Sequence, residues 1–292
     1  MAELTRIRKP IVSGIKGQTL SNHVACVAFA GGGLCGTEDG AKLLGAGETA
    51  VDEAVVYADG AILEATDGVR TIVSVPLAKP TGGSITSISL PDAPLAGYVA
   101  APMVQIEGDG VGAYAVAEYD STNETVTGVT LVCPGHGYTQ ATAALYFGSG
   151  TDRVPLDVTV GAAAESGGLV KRGAGTVVLN AANGYTGSTT VEEGSLEFAA
   201  AGSLPAGSAV ILRGGTAVFA DASEAPAELE AELGELDPER KYVLASYPNG
   251  RPATLPTVKV NGSMSYPNGY RLCFKGNNLV FGYAHGVVLI VR

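Results

Sequence analysis

The chain reads as all-β, a parallel β-solenoid with a small antiparallel β module inserted in it or appended to it. Three observations carry this reading: a composition built for short strands and tight turns, a Val/Leu pulse recurring about every 20 residues, and a second internal repeat near 40 residues. Apolar residues make up 46% of the 292 residues, charged residues only 16%, and there is no Trp. Gly reaches 41 residues, about twice the usual share. Glycine weakens element interiors but supplies positive φ at corners, so this profile suits many strands joined by turns.

The shorter period begins in "GGLVKRGAGTVVLNAANGYTGSTTVEEGSLEF", residues 167–198. Val170 is followed by Val191 and Phe198 by Phe219 21 residues on, and Val177 by Leu196 and Val191 by Val210 19 residues on. Such spacing fits one turn of a solenoid, in which no coil can bury its own inner face and each stacks on the next. Within "SLEF", strand alternation turns Leu196 and Phe198 inward and Ser195 and Glu197 to solvent. Gly173, Gly175, Gly187 and Gly194 fall at corners.

The pattern Lys171-x-Gly173-x-Gly175-Thr176-x-x-Leu179, then Asn183-x-Tyr185-Thr186-Gly187-x-Thr189-Thr190-Val191-x-x-Gly194-x-Leu196, resembles the autotransporter-associated β-strand repeat, also called the passenger-associated transport repeat. Gly184 and Ser188 depart from the family's pattern. The resemblance implies a right-handed parallel β-helix, exported and displayed on a bacterial surface, with Lys171, Gly173, Gly175, Asn183, Tyr185, Gly187 and Gly194 as architectural residues. The text holds one good copy and no C-terminal run of about ten-residue amphipathic strands for a translocator barrel. A fragment of a longer surface protein, or export by another route, is therefore expected.

The longer period aligns residues 84–110 with 125–150: Ile85 with Val126, Leu90 with Leu131, and Gly97-Tyr98 with Gly137-Tyr138. Each copy reads strand, Gly-Tyr turn, strand, Gly-rich turn. Between them, "AYAVAEYDSTNETVTGVTL" is hairpin text, and "RVPLDVTV" repeats the role of "AYAVAEY". This stretch resembles Gly-Tyr repeat modules of phage tail-fibre and bacterial surface proteins, where the module serves as spacer or binding appendage. Three segments follow: 1–83, β-rich and offering first solenoid rungs; 84–163, the repeated module; and 164–292, the solenoid with its cap.

The flanks supply further rungs. Upstream, Val55-Val56, Ile62-Leu63 and Ile72 to Val75 are strand pulses divided by Asp-Gly at 59–60 and 67–68. Downstream, Val258 to Val260, Tyr270 to Phe274, Leu279 to Tyr283 and Val287 to Val291 form a meander or final coils with a cap, because the last open edge must be covered. The acidic, Ala/Leu-rich stretch 221–240 breaks the rhythm and reads as a short helix or exposed loop.

A net charge of −11, from 18 basic and 29 acidic residues, argues against nucleic acid, whose binding rests on clustered Lys and Arg. It disfavours anionic membranes too. Arg6, Arg8 and Lys9 read as a solvated tail. No signal-peptide h-region forms, since Lys16 interrupts the apolar text, and Val24 to Ala30 is far below the ~20 residues of a spanning helix. Cys26, Cys35, Cys133 and Cys273 lack zinc spacing. Cys26 and Cys35 pair in one reading; buried free thiols are the other.

Motifs that would carry chemistry fall short one by one. Gly31, Gly33 and Gly36 spell G-x-G-x-x-G, with Asp52 and Glu53 following, but a dinucleotide site needs a helix there and βαβ units after it. His23, His136 and His285 each stand alone, and turn geometry explains His136 and His285. Acids at Glu192, Glu193 and Glu197, and at Asp59, Glu64 and Asp67, read as solvated turn acids rather than a glycosidase pair. Tyr98, Tyr138 and Tyr185 either meet a partner from the surface or pack across the Gly-bearing corners. G-x-S-x-G is absent, and Asn123 of "NET" is only a formal sequon. No catalytic, cofactor-binding or metal residue is assigned.

The expectation is a non-enzymatic, extracellular or bacterial cell-surface protein acting in display or adhesion, without cofactor. Its partner would be a surface protein or glycan, with self-association, and with neither nucleic acid nor membrane insertion. Two rival expectations are a self-assembling subunit of a filament or tail-fibre-like shaft, and a carbohydrate-active β-helix enzyme.

Overall fold

The computed structural model describes residues 24–40, 42–44, 51–92, 95–148 and 153–284. They are all-β, with one short 3-10 turn at Ala222–Glu224 among the described residues. Seven short strands come first: β1 (Val24–Phe29), β2 (Gly33–Gly36), β3 (Lys42–Leu44), β4 (Val51–Val56), β5 (Ala61–Ala65), β6 (Arg70–Val73) and β7 (Leu77–Ala78). Then come β8 (Ser84–Ser89), β9 (Leu95–Ala96), β10 (Met103–Gly108), β11 (Val111–Asp120), β12 (Thr125–His136), β13 (Ala141–Tyr146) and β14 (Val154–Gly161). Strand pairs β15 (Leu169–Arg172) and β16 (Thr176–Leu179), β17 (Thr189–Val191) and β18 (Ser195–Phe198), and β19 (Val210–Leu212) and β20 (Thr216–Phe219) follow. The chain closes with β21 (Glu228–Ala231), β22 (Lys241–Ser246), β23 (Thr257–Val260), β24 (Tyr270–Lys275) and β25 (Asn278–Tyr283).

Outside β8–β14 the chain visits three sheets in rotation. β1, β4 and β7 pair in parallel, and β2, β5, β15, β17, β19, β21 and β23 form a second sheet whose pairings are all parallel. The third sheet runs β3-β6-β16-β18-β20-β22 in parallel. It then turns antiparallel through β25 and β24, so it is mixed, and the expected terminal meander is this hairpin. Val287 to Val291 lie outside the described residues.

One contiguous core fills the space between these sheets, because equivalent inward positions stack from strand to strand. In the third sheet the column runs Val73, Leu179, Phe198, Phe219, each 1% exposed or less. Its rings stack: Phe198 on Phe219 at 5.1 Å between centroids, Phe219 on Tyr247 at 5.8 Å. Phe274 meets Tyr247 edge-on at 5.9 Å and ties the terminal hairpin to the same stack. Offset and edge-on rings add to the stabilisation that their buried area already provides.

The expected alignments of Val177 with Leu196 and Phe198 with Phe219 hold, but two others are corrected. Val191 pairs with Lys171 rather than Val170, and with Leu212 rather than Val210. A one-residue slip would turn Leu169, fully buried, out to solvent; the inward lysine disguised this register in the text. Within 221–240 the short helix is the 3-10 turn at Ala222–Glu224 and much of the rest is loop, as expected, but one strand was not: "ELEA" is β21. Its Leu229 and Ala231 continue the inward columns beneath Val210 and Leu212, leaving Glu228 and Glu230 on the outer face, so tertiary stacking overrides propensity.

Strands β8–β14 pair only among themselves around their own core of Ile85, Tyr98, Val126, Tyr138 and Leu145. The two repeat copies exchange partners: β8 pairs with β14, β11 with β12, and β10 with β13, all antiparallel. The turns mirror each other, Tyr98 N donating to Glu124 O at 3.0 Å and Tyr138 N to Gly83 O at 2.9 Å. Across this 84–161 stretch the parallel ladders resume as if uninterrupted, Leu169 beside Ala61 and Thr176 beside Arg70.

Phe219 lies mid-stack with rings on both sides, so Phe219→Ala is expected to cost about 3–5 kcal/mol of unfolding free energy. Chemical denaturation checks this; a loss under about 1 kcal/mol would mean the stacked column is not what holds the coils together.

Candidate functional site

The repeat segment is built by polar side chains that turn back onto backbone. Lys171 occupies an inward column between Leu63 and Val191 and is fully buried. Its ammonium donates to the carbonyls of Gly173 and Glu193, closing the corner that follows its own strand and the corner of the next coil. Burial pushes the Lys171 amine down to about 8, against the opposing pull of Glu193 and Glu64. A buried ammonium is tolerable only when carbonyls or carboxylates satisfy it.

Asn183 works across three levels. Its side-chain oxygen accepts from Leu77 N at 2.8 Å and its amide donates to Ser203 O at 2.6 Å. Tyr185 is buried, with its hydroxyl 2.6 Å from Thr189 Oγ1, which lies 3.0 Å from Ser208 Oγ. Gly194 needs its bare Cα: φ is +62°, and a Cβ there would sit 2.3 Å from Gly175 O. The surface reading of Tyr98, Tyr138 and Tyr185 is overturned, since all three are at most 6% exposed. Tyr138 packs on Gly108 and Gly110, and Tyr98 on Gly148, each a glycine of the other copy. For Tyr98 and Tyr138, packing across Gly-bearing corners is the reading that holds.

A second polar cluster lies where β12 meets the first sheet. His136 Nδ1 is 2.8 Å from the Tyr57 hydroxyl, and Nε2 is 3.1 Å from the Glu53 carboxylate. An ionised carboxylate can only accept, so Nε2 donates to Glu53, while the Tyr57 hydroxyl serves both Nδ1 and the Cys133 thiol. Cys133 adjoins Tyr57 in a small apolar cluster with Ala28 and Val55. Its thiol is pushed up to about 11 by burial, so it stays protonated near neutrality and is not an activated nucleophile. The cluster fastens β12 to β4 by hydrogen bonds between otherwise unrelated sheets. In the sequence His136 reads as a turn residue and Glu53 only as a residue downstream of the discounted G-x-G-x-x-G motif; 83 residues separate them and no local pattern joins them.

The remaining candidates are dispersed. Gly33 and Gly36 lie in β2, where a Cβ on Gly33 would strike Ile62 O at 2.4 Å; no helix follows them among the described residues. Cys35 is a free thiol, so the Cys26–Cys35 pairing is not made. Glu192 pairs with Arg172 at 2.8 Å and approaches Arg213 at 3.9 Å, which pairs with Glu232 at 2.6 Å. Glu197 pairs with Arg70 at 3.1 Å. These acids form a lateral charge ladder linking successive coils. Asp59, Glu64 and Asp67 border β5 and its turns; Glu193 contributes the carbonyl bound by Lys171. His23, His285, Arg6, Arg8 and Lys9 lie outside the described residues, as does the Asp52 side chain. Among the described residues no cluster of three metal-ligating side chains occurs, and no helix is long and apolar enough to cross a membrane.

The buried Lys171, the bridging Asn183 and the glycine corners coincide with a known repeat. Residues 169–198 match the passenger-associated-transport-repeat family model. The match spans the first two coils after β14 and reaches from Leu169 to Phe198. No curated protein and no solved structure matches the chain, and the Gly-Tyr resemblance of 84–160 to tail-fibre modules gains no support from these comparisons.

Because the Lys171 amine is held below its ordinary value, the unfolded chain binds the extra proton between about pH 8 and the usual lysine range near 10.5. Stability owed to this residue therefore rises with pH across that window. In Lys171→Met that component vanishes, and equal pH slopes in both proteins by denaturant titration would refute the assignment. Cys133 is expected to resist iodoacetamide at pH 8 while the more exposed Cys35 and Cys273 label first; mass spectrometry of peptides checks this. Early labelling of Cys133 would show that the β12–β4 junction opens readily.

Proposed function

We propose that this chain is an exported, passenger-like parallel β-helix that acts by display, presenting its 84–163 module to a protein or glycan at a bacterial surface. The observation that carries the proposal is the matched passenger repeat seated where the parallel ladders resume after the module. A module inserted between β7 and β15 leaves the register of the parallel ladders intact, so the described strands β1–β7 and β15–β25 serve as one support and the module as its appendage. That division supports a support-and-appendage reading.

The module also offers a contact surface. Backbone pairing sets Met103 opposite Tyr146 and joins Val99 to Gly148, bringing together Val99 at 77%, Met103 at 50% and Phe147 at 69% exposed. Phe147 holds φ at +65°, an uncommon conformation for a bulky residue that costs energy and recurs at functional surfaces. Exposed aromatic and apolar side chains in one patch favour a binding role.

Against filament building stands the treatment of the last edges. The β24–β25 hairpin closes the third sheet, and Tyr266 donates to Val258 O on the outer strand of the second. The antiparallel hairpin ends the parallel ladder of the third sheet, so a second copy finds no parallel strand there to extend. Against turnover stands the pairing of outward acids with arginines along the charge ladder, which leaves them structural.

Protease shaving and fractionation of intact cells that naturally make the protein test the proposal. The chain is expected outside the cell, with cleavage first within 84–163 and adhesion lost in cells carrying Phe147→Ser. A cytoplasmic pool shielded from protease would overturn it.

A further inference from the structure

Charge is divided unevenly along the chain. The first 239 residues hold 11 basic and all 29 acidic residues; the last 53 hold 7 basic residues and none acidic. The body is thus strongly anionic and the terminal end cationic. A uniform segregation of this kind makes local potential, not net charge, the guide to binding.

The cationic end has a formed cleft. On the outer face of the terminal hairpin, Arg271, Cys273 and Lys275 alternate along β24. Arg271 and Lys241 both lie opposite Gly282 of β25, one on each side. Gly282 has no side chain, so the floor between the two cations is bare, and a cleft of about 200 Å³ opens there, walled by Lys275, Val280 and Tyr283. A Cβ on Gly282 would make ordinary contact, 3.4 Å from Arg240 O, and project into this space.

The three cations have no anionic partner among the described residues. Lys241 and Lys275 instead meet each other, and that contact holds the Lys275 amine below its ordinary value. Elsewhere in the molecule Arg70, Arg153, Arg172, Arg213 and Lys259 each have a carboxylate. Two ammonium groups in contact repel unless an anion bridges them. Charge-assisted donors from lysine and a planar guanidinium suit a carboxylate or sulfate, while the aliphatic stems of Lys241 and Lys275 border the same space and offer apolar contact to a sugar ring.

We propose that this cleft binds an acidic saccharide, its carboxylate or sulfate held between Lys241, Lys275 and Arg271 above Gly282. The site goes beyond the display reading: it lies at the far end from the module and stands whether or not the protein is exported.

Calorimetry on the full chain with polygalacturonate, chondroitin sulfate, neutral dextran and inorganic sulfate tests it. Both acidic polymers are expected to bind and dextran not, with affinity falling as salt rises. The double variant Lys241→Gln/Lys275→Gln should bind about tenfold or more weakly, since each charge-assisted bond is worth over about 1.4 kcal/mol, a factor of ten. Gly282→Ala should weaken binding through the floor alone, and unchanged thermal melting of both variants excludes misfolding. Undiminished binding by the double variant overturns the site. Sulfate binding as tightly as chondroitin sulfate makes it an inorganic-anion site and overturns the saccharide. Salt-sensitive self-association that the double variant loses, without saccharide binding, places a second copy's carboxylates in the cleft and also overturns it.

Discussion

The parallel ladders outside the module depend on one constraint: no short strand here can satisfy its own backbone or cover its own inner face, so each must find both in the strands beside it. Parallel pairing at fixed register then stacks like positions on like. The stack rewards identical size and shape at equivalent positions, and the aromatic column of Phe198, Phe219 and Tyr247 is the result. It punishes slips, because period-two alternation moves a whole set of side chains to the wrong face.

Polar residues enter this stack where corners leave carbonyls and amides unpaired. Lys171 and Asn183 each carry hydrogen-bonding groups from one coil to neighbouring ones, so the same residues that define the passenger repeat satisfy its turns. Buried polar groups that are fully satisfied fix geometry as well as adding stability. On the outside, Arg172, Glu192, Arg213 and Glu232 alternate in sign from coil to coil. Exposed pairs contribute little singly, and their alternation keeps like charges apart along the stack.

The module obeys a different logic. Its copies cannot close sheets alone, so β11, which follows the first copy, pairs with the first strand of the second, β14, which follows the second, pairs with the first strand of the first, and each buried tyrosine rests on glycine of the other copy. Its attachment to the parallel sheets runs through the Glu53–His136–Tyr57 contacts. Two sets of strands thus keep separate main cores, with a small third cluster between them that contains Cys133.

The sequence by itself determined the strand class, most strand positions, the Asp-Gly corners and the repeat at Lys171 to Leu196, because alternation and turn chemistry are local. It also held the two-copy relation of the module. Tertiary structure alone decided the rest. The inward lysine hid the register at Val191, since a charge in an apolar column looks like a surface position. "ELEA" became strand because stacking on Val210 and Leu212 outweighs helical composition. The meeting of His136 with Glu53 and the Lys241–Arg271–Lys275 cleft arise from pairings between distant or antiparallel strands, which no periodicity in the text encodes.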